Sequence, residues 1–316
     1  MIHKLLLITI LFTSLYGAKI MPIAKYKSSG AVTDILVNNT KLYSATTHGT
    51  IDIFDIKSKK IIKQIKIPKI KDFTGDEVNS KIFSIDILDK KLLILSQASQ
   101  GYRSIYIHSN GKNKTIIDEK FNLSIAKAKF LNKNTLILAL LSNEIISFDM
   151  KTKKENWRMQ ASGARFSDFV LNEDKTQIVV ADESGALKIC NAKDGIITKI
   201  LTGQNLDNVF QVDYKNGIII TAGKDRRAVV YSLKSKSSYY KKSSFLIYSV
   251  GLSPSGKLAG YASDEDNDIV VFNTTTQNTI GVYGGNKMTL TNILFNGEKQ
   301  FFSSSDSNII NLYNVK

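Results

Sequence analysis

Hydrophobic and polar positions alternate along the chain in short blocks. Runs of about five β-branched, aliphatic or aromatic residues are each followed by a turn rich in Lys, Asn, Ser, Thr or Gly. One block ending recurs seven times: IFDIKSKK at Ile53, YIHSNGK at Tyr106, SFDMKTKK at Ser147, ICNAKDG at Ile189, VYSLKSK at Val230, VFNTTTQ at Val271 and LYNVK at Leu312. The second residue of each copy lies 53, 41, 42, 41, 41 and 41 positions from the one before, counting from Phe54 to Tyr313. A period near 41, lengthened once by about a dozen residues, marks a repeat architecture.

Each unit reads as four short strands. In the fourth, Phe166–Leu171, Gln177–Ala181, Ala186–Cys190 and Ile196–Leu201 are separated by polar turns, the pattern of an antiparallel meander. The second and third strands carry the β-branched residues that central strands favour. No segment has a helical period, and the chain has 3 prolines. The last unit stops at Lys316 one strand short, while Lys19 to Tyr26, KIMPIAKY, is an apolar segment with no unit of its own. Pairing these two ends would close the ring and remove two open sheet edges. The expected fold is all-β, a seven-bladed propeller over residues 19–316, closed by the N-terminal strand on the last blade.

The block endings resemble the WD40 repeat. Its Trp-Asp pair is weakened here to Phe54-Asp55, Phe148-Asp149, Phe272-Asn273 and Tyr313-Asn314, and the Gly-His pair of strong members is absent. That departure implies that the Asp-His hydrogen-bond network of stronger members is missing. The N-terminal stretch MIHKLLLITILF and the following AKYKSSGAVTDILVNNTKLYSATTHGTIDIFDI are similar to the NapL family, WD40-like proteins of periplasmic nitrate reductase operons in ε-proteobacteria. The resemblance implies a partner among periplasmic nitrate reductase components.

Residues 1–18 read as a cleavable secretory signal. His3 and Lys4 precede Leu5 to Leu15, apolar but for Thr9, Thr13 and Ser14, and cleavage is expected after Gly17 or Ala18. Retention as an N-terminal anchor is the alternative. No cysteine stands at the junction for lipid attachment, which also separates the chain from lipid-anchored outer-membrane assembly propellers. The expected location is the periplasm, with no membrane insertion after cleavage, and the expected state a monomer. Cys190 is the only cysteine, so an intramolecular disulfide is excluded; it reads as a small core residue.

Of 316 residues, 43% are hydrophobic and 22% charged, and the net charge is +15. The basic residues are nearly all lysines spread through turns. Nucleic-acid binders instead cluster Arg with stacking aromatics, so the charge reads as a solvated surface that favours acidic partners.

Catalytic signals are sparse, and the chain is expected not to be an enzyme, with no cofactor and no metal. His48 and His108 fall in different units and make a poor metal pair. There is no CxxCH and no Gly-rich phosphate loop. The acidic run SDEDND, Ser263 to Asp268, lacks the glycine and distant Glu of a calcium loop and reads as a solvated turn. SFDMKTKKENW, ending at Trp157, resembles the tryptophan-docking motif of quinoprotein propellers, but those repeat it and Trp157 is the only tryptophan. A propeller enzyme of quinoprotein or hydrolase type, with its site in the central channel, is the rival class.

What remains is surface. The loops between second and third strands, and those between units, crowd one face of a propeller, where function sits on such scaffolds. Among them Tyr102, Arg103, Arg226 and Arg227 supply the Arg and Tyr that interfaces favour. Phe73, in the extra IPKIKDFTGDEV of the second unit, is an exposed aromatic at their edge. Two uses are open for Arg226 and Arg227: docking a protein, or pairing with the acidic loops at Asp182–Glu183 and Asp264–Asp266.

Overall fold

In a computed structural model, residues 18–316 are described, and the expected signal at 1–18 lies almost wholly outside them. The chain forms seven four-stranded antiparallel sheets, plus one two-stranded hairpin. The innermost strands of neighbouring sheets touch in sequence order, and that of the first also touches that of the last, so the sheets are blades of a closed seven-bladed propeller. Among the described residues no helix is long and apolar enough to cross a membrane.

The blade is set by burial. Second strands such as Lys41–Thr46, after its exposed first residue, and Thr135–Leu140 are buried along their length, because both of their faces meet a neighbouring blade. Outermost strands such as Ile61–Lys66 are mostly exposed. The core is accordingly a set of apolar clusters lying between blades, such as the one joining Ile137 and Ile145 of blade 3 to Phe169 and Ile178 of blade 4. Cys190 belongs to it, and burial pushes its thiol up to about 12.

Ring closure follows the expected route with a shorter strand. Ala24–Lys27 pairs antiparallel with Ile309–Asn314, Tyr26 opposite Ile310, and completes blade 7. Tyr26 is fully buried against Phe54 and Phe302, so the closing strand also packs on blade 1. Residues 19 and 20 do something else: Ile20 N–H donates to Val282 O at 2.8 Å and Ile20 O accepts from Gly284, a bridge to blade 6. Pro22 separates the two attachments; it lacks an N–H and cannot continue a ladder. The N-terminal segment therefore spans two blades instead of forming one strand over 19–26.

Between blades 1 and 2 the extra residues fold as a small hairpin, Ile70–Lys71 with Glu77–Val78.

Candidate functional site: loop face and central channel

The loop face gathers some of the expected residues and separates others. Phe73 stands at the hairpin tip, 86% exposed. The tip is stiff: Asp72 Oδ1 accepts from Thr74 N at 2.9 Å, Thr74 Oγ1 at 2.7 Å and Asp76 N at 2.9 Å. These bonds hold the Asp72 carboxyl below its ordinary range, the Thr74 hydroxyl most of all. The Phe73 ring reaches toward Gly101, where an added Cβ would come within 3.8 Å of it, so the tip leans over the Ser99–Gly101 turn. Tyr102 and Arg103 follow that turn directly. Phe73, Tyr102 and Arg103 thus form one patch over blade 2. Arg226 and Arg227 lie on blade 5, three blades away around the ring.

The arginines differ in what they do. Arg103 lies over the Phe83 ring, 4.1 Å from its centroid, and its Nη1 donates to Gly101 O at 2.7 Å and Tyr102 O at 3.0 Å. It holds its own loop. Arg227 lies 4.2 Å over the Tyr240 ring and donates to Gln204 O at 3.0 Å. Arg226 is exposed, with φ +62°, at the corner of its turn. Neither Arg226 nor Arg227 forms an ion pair with the acidic loops of blades 4 and 6, and several of those acids are engaged elsewhere. Asp182 is fully buried and pairs with Lys188. Asp266 and Asp268 take Lys19, at 3.3 and 2.6 Å. The run SDEDND is thus in part a clamp on the N-terminal segment, where the sequence suggested a solvated turn. Burial raises the Asp268 carboxyl, Asp264 and Asp266 add to that, and Lys19 opposes it.

Under this face blades 4, 5 and 7 each carry a buried polar knot. In blade 5, Asn205 of the entering loop accepts from Thr221 Oγ1 at 2.7 Å and donates to Tyr231 Oη at 3.2 Å, while Asp225 accepts from Leu206 N at 2.8 Å. In blade 7, Asn286 accepts from Ser303 and Asn311 at 2.7 and 2.9 Å. Blade 4 uses charge: Asp182 accepts from Asn143, Ser162 and Ser184 as well as Lys188. Burial works against the Asp182 charge, but these donors outweigh it and hold the carboxyl below its ordinary 3.8. An Asp-His pair is not what ties these loops down; Asn, Ser and Lys do it.

The central channel was not foreseen as polar. In six of the seven blades the pairing of the first and second strands shifts by one residue near the start of the first strand. Such a bulge re-aims the next side chain. Asp34, Ser84, Lys127, Asp168, Gln211 and Asn292 follow these shifts. Several of them reach the next blade. Asp34 accepts from Ile85 N at 2.9 Å, Asp168 from Val212 N at 3.0 Å, and Gln211 from Val250 N at 2.9 Å. Two residues on, Asp86 accepts from Phe130 N at 2.7 Å and Asp213 from Leu252 N at 2.9 Å. Lys127 donates to Asp168 at 2.6 Å, and Lys129 to Ile85 O at 2.8 Å. The cavity they line has a volume of about 350 Å³. Burial raises the Asp34 carboxyl against the pull of Lys129. Burial also opposes the charge of Lys127, but Asp168 overcomes this and keeps its pKa raised. The signal for this ring was present as an Asp before an apolar residue in four first strands: Asp34-Ile35, Asp86-Ile87, Asp168-Phe169 and Asp213-Tyr214.

Other chemistry-bearing residues are structural. His48 Nδ1 donates to Ser29 O at 2.9 Å and His108 Nδ1 to Asn113 Oδ1 at 2.7 Å. Among the described residues no group of three or more His, Cys, Asp or Glu is placed to hold a metal ion. Trp157, on the outermost strand of blade 3, packs its indole on Gly195 of blade 4. That glycine has φ +76°, and an added Cβ would lie 2.7 Å from the ring. One tryptophan thus pins one blade to the next.

The class defined by this fold and face is a seven-bladed β-propeller, consistent with a WD40-like fold. Compared with known families and curated proteins, the chain matches no family model and no curated sequence.

Proposed function

We propose that the chain is a non-enzymatic protein-interaction scaffold of the periplasm, exported through a cleavable N-terminal signal and accessory to the assembly or function of periplasmic nitrate reductase. The nitrate reductase setting and the location rest on the resemblance to the NapL family and on the apolar stretch Leu5 to Leu15. The interaction role rests on one observation: a stiff hairpin carries Phe73, 86% exposed, over the Tyr102 patch. A large aromatic held on a rigid tip gives contact area at little entropic cost, which is what an interface anchor needs. The channel carboxylates favour this reading over a channel enzyme, because Asp34, Asp86, Asp168 and Asp213 each bond the backbone of the next blade.

Arg103 and Arg227 shape this face from beneath, and Arg226 is the exposed cation. The test is co-purification of tagged chain with periplasmic nitrate reductase subunits. Wild-type chain should retain them, and Phe73→Ala should lose them at unchanged melting temperature. Recovery of no reductase subunit by the wild-type chain would remove the nitrate reductase setting.

A further inference from the structure

Three adjoining blades carry nine exposed lysines along their rim and no acidic residue on their outermost strands. On the outermost strand of blade 7, Lys25 and Lys27 are exposed. Blade 1 follows with Lys57, Lys59, Lys60, Lys63 and Lys66, all exposed. The edge of blade 2 adds Lys112 and Lys114. The three edges are continuous: Tyr26 Oη donates to Ile56 O at 2.8 Å, and Asn113 Nδ2 to Lys66 O at 3.2 Å. Among the described residues none of these lysines is in an ion pair. The neighbouring Asp55 caps its own turn, accepting from Ser58 N at 2.7 Å. The edge of blade 3 is different, since Arg158 there pairs with Glu155 and Glu144 at 2.6 and 2.8 Å.

The same rim exposes aliphatic side chains. Ile61 and Ile62 are 40% and 51% exposed between the lysines, and Met21 and Ile23 are 58% and 49% exposed just ahead of Lys25. We propose that the outer rim of blades 7, 1 and 2 is a docking surface for an anionic phospholipid bilayer. This is independent of the protein-docking face and of the identity of its partner. The charge is all ammonium, with no arginine on these three strands. Scattered point charges suit a diffuse anionic surface, whereas a carboxylate-rich protein is better gripped by the guanidinium fork. Aliphatic side chains among the lysines enter the headgroup boundary while the ammonium groups stay at the phosphates.

The test is co-sedimentation with vesicles of mixed phosphatidylglycerol and phosphatidylcholine, using the chain from Lys19 onward, which holds every strand of the ring. Binding should weaken with salt and vanish on pure phosphatidylcholine. Each lysine at such a surface is worth about fivefold in partitioning, so Lys60→Glu/Lys63→Glu/Lys66→Glu should lower it by about a hundredfold or more. Ile61→Ser/Ile62→Ser should lower it by roughly tenfold. The same charge change on blade 5, Lys234→Glu/Lys236→Glu/Lys242→Glu, should do far less. Lys63→Glu alone serves where the triple variant misfolds. Three results would overturn the proposal: no binding to the mixed vesicles, an equal effect from the blade 5 variant, or loss on lysine reversal but not on isoleucine replacement together with equal binding to polyglutamate. The last would assign the rim to an acidic protein.

Discussion

Asp34, Asp86, Asp168 and Asp213 line the channel and each bonds a backbone N–H of the following blade, whereas Phe73 on the inserted hairpin is left open to solvent. The first group is committed to the ring, and the second is free for something outside it. The difference separates polar residues that hold a propeller together from surface residues that give it a use. Arg103 and Arg227 fall between, since each is exposed in part yet stacked on a ring of its own blade.

The widest test of the committed side is removal of the closing strand. Deleting residues 19–27 takes away the ladder with Ile309–Asn314 and the buried Tyr26, and should leave little soluble protein. Soluble yield and thermal melting measure it. A ring that melts unchanged would show that closure is not what joins the blades.

Next is the charged knot of blade 4. Lys188→Met leaves the fully buried Asp182 without its cation and should cost about 3–5 kcal/mol in urea unfolding. The double variant Asp182→Leu/Lys188→Met should recover most of that, because the uncompensated charge is gone. A smaller loss is expected from a single channel stitch. Asp213→Ala strands the Leu252 N–H and should cost about 1–3 kcal/mol.

Acid should reveal the same knot. The Asp182 carboxyl is held below its ordinary 3.8 in the folded chain. Its contribution is therefore complete above that value and declines as pH falls through the lower folded value. Asp34 has the opposite sign: burial raises its carboxyl, so stability is gained as pH falls through that raised value toward 3.8. Urea midpoints across an acid series should show the gap between wild type and Asp182→Asn closing only below about pH 4. A gap that closes at higher pH would mean that Asp182 is not held in its charged form.

The committed and free sets were not equally legible in the sequence. The blade count came from a period repeated in every unit, and Lys19 to Tyr26 stood out because the last unit lacked a strand. The channel aspartates left a signal in their Asp-apolar pairs, but the bulges at the starts of these strands break the alternation from which an inward side chain is inferred. Arg103 and Arg227 read as free because Phe83 and Tyr240, the rings that receive them, lie 20 and 13 residues away on other strands. Asp182 read as a loop acid because nothing in ADESG shows that Lys188 turns back beneath it. Phe73 was legible for the converse reason, as an aromatic in an extra polar segment that belongs to no blade.

The most direct measurement of the docking role is paired on one variant. Phe73→Ala is measured for melting temperature and for retention of periplasmic nitrate reductase subunits. A docking scaffold predicts a stability change within about 0.5 kcal/mol and a loss of retention on the order of thirtyfold. Full retention with Phe73 gone would contradict the hairpin as anchor, and a large drop in stability would place the ring in the fold and not in an interface.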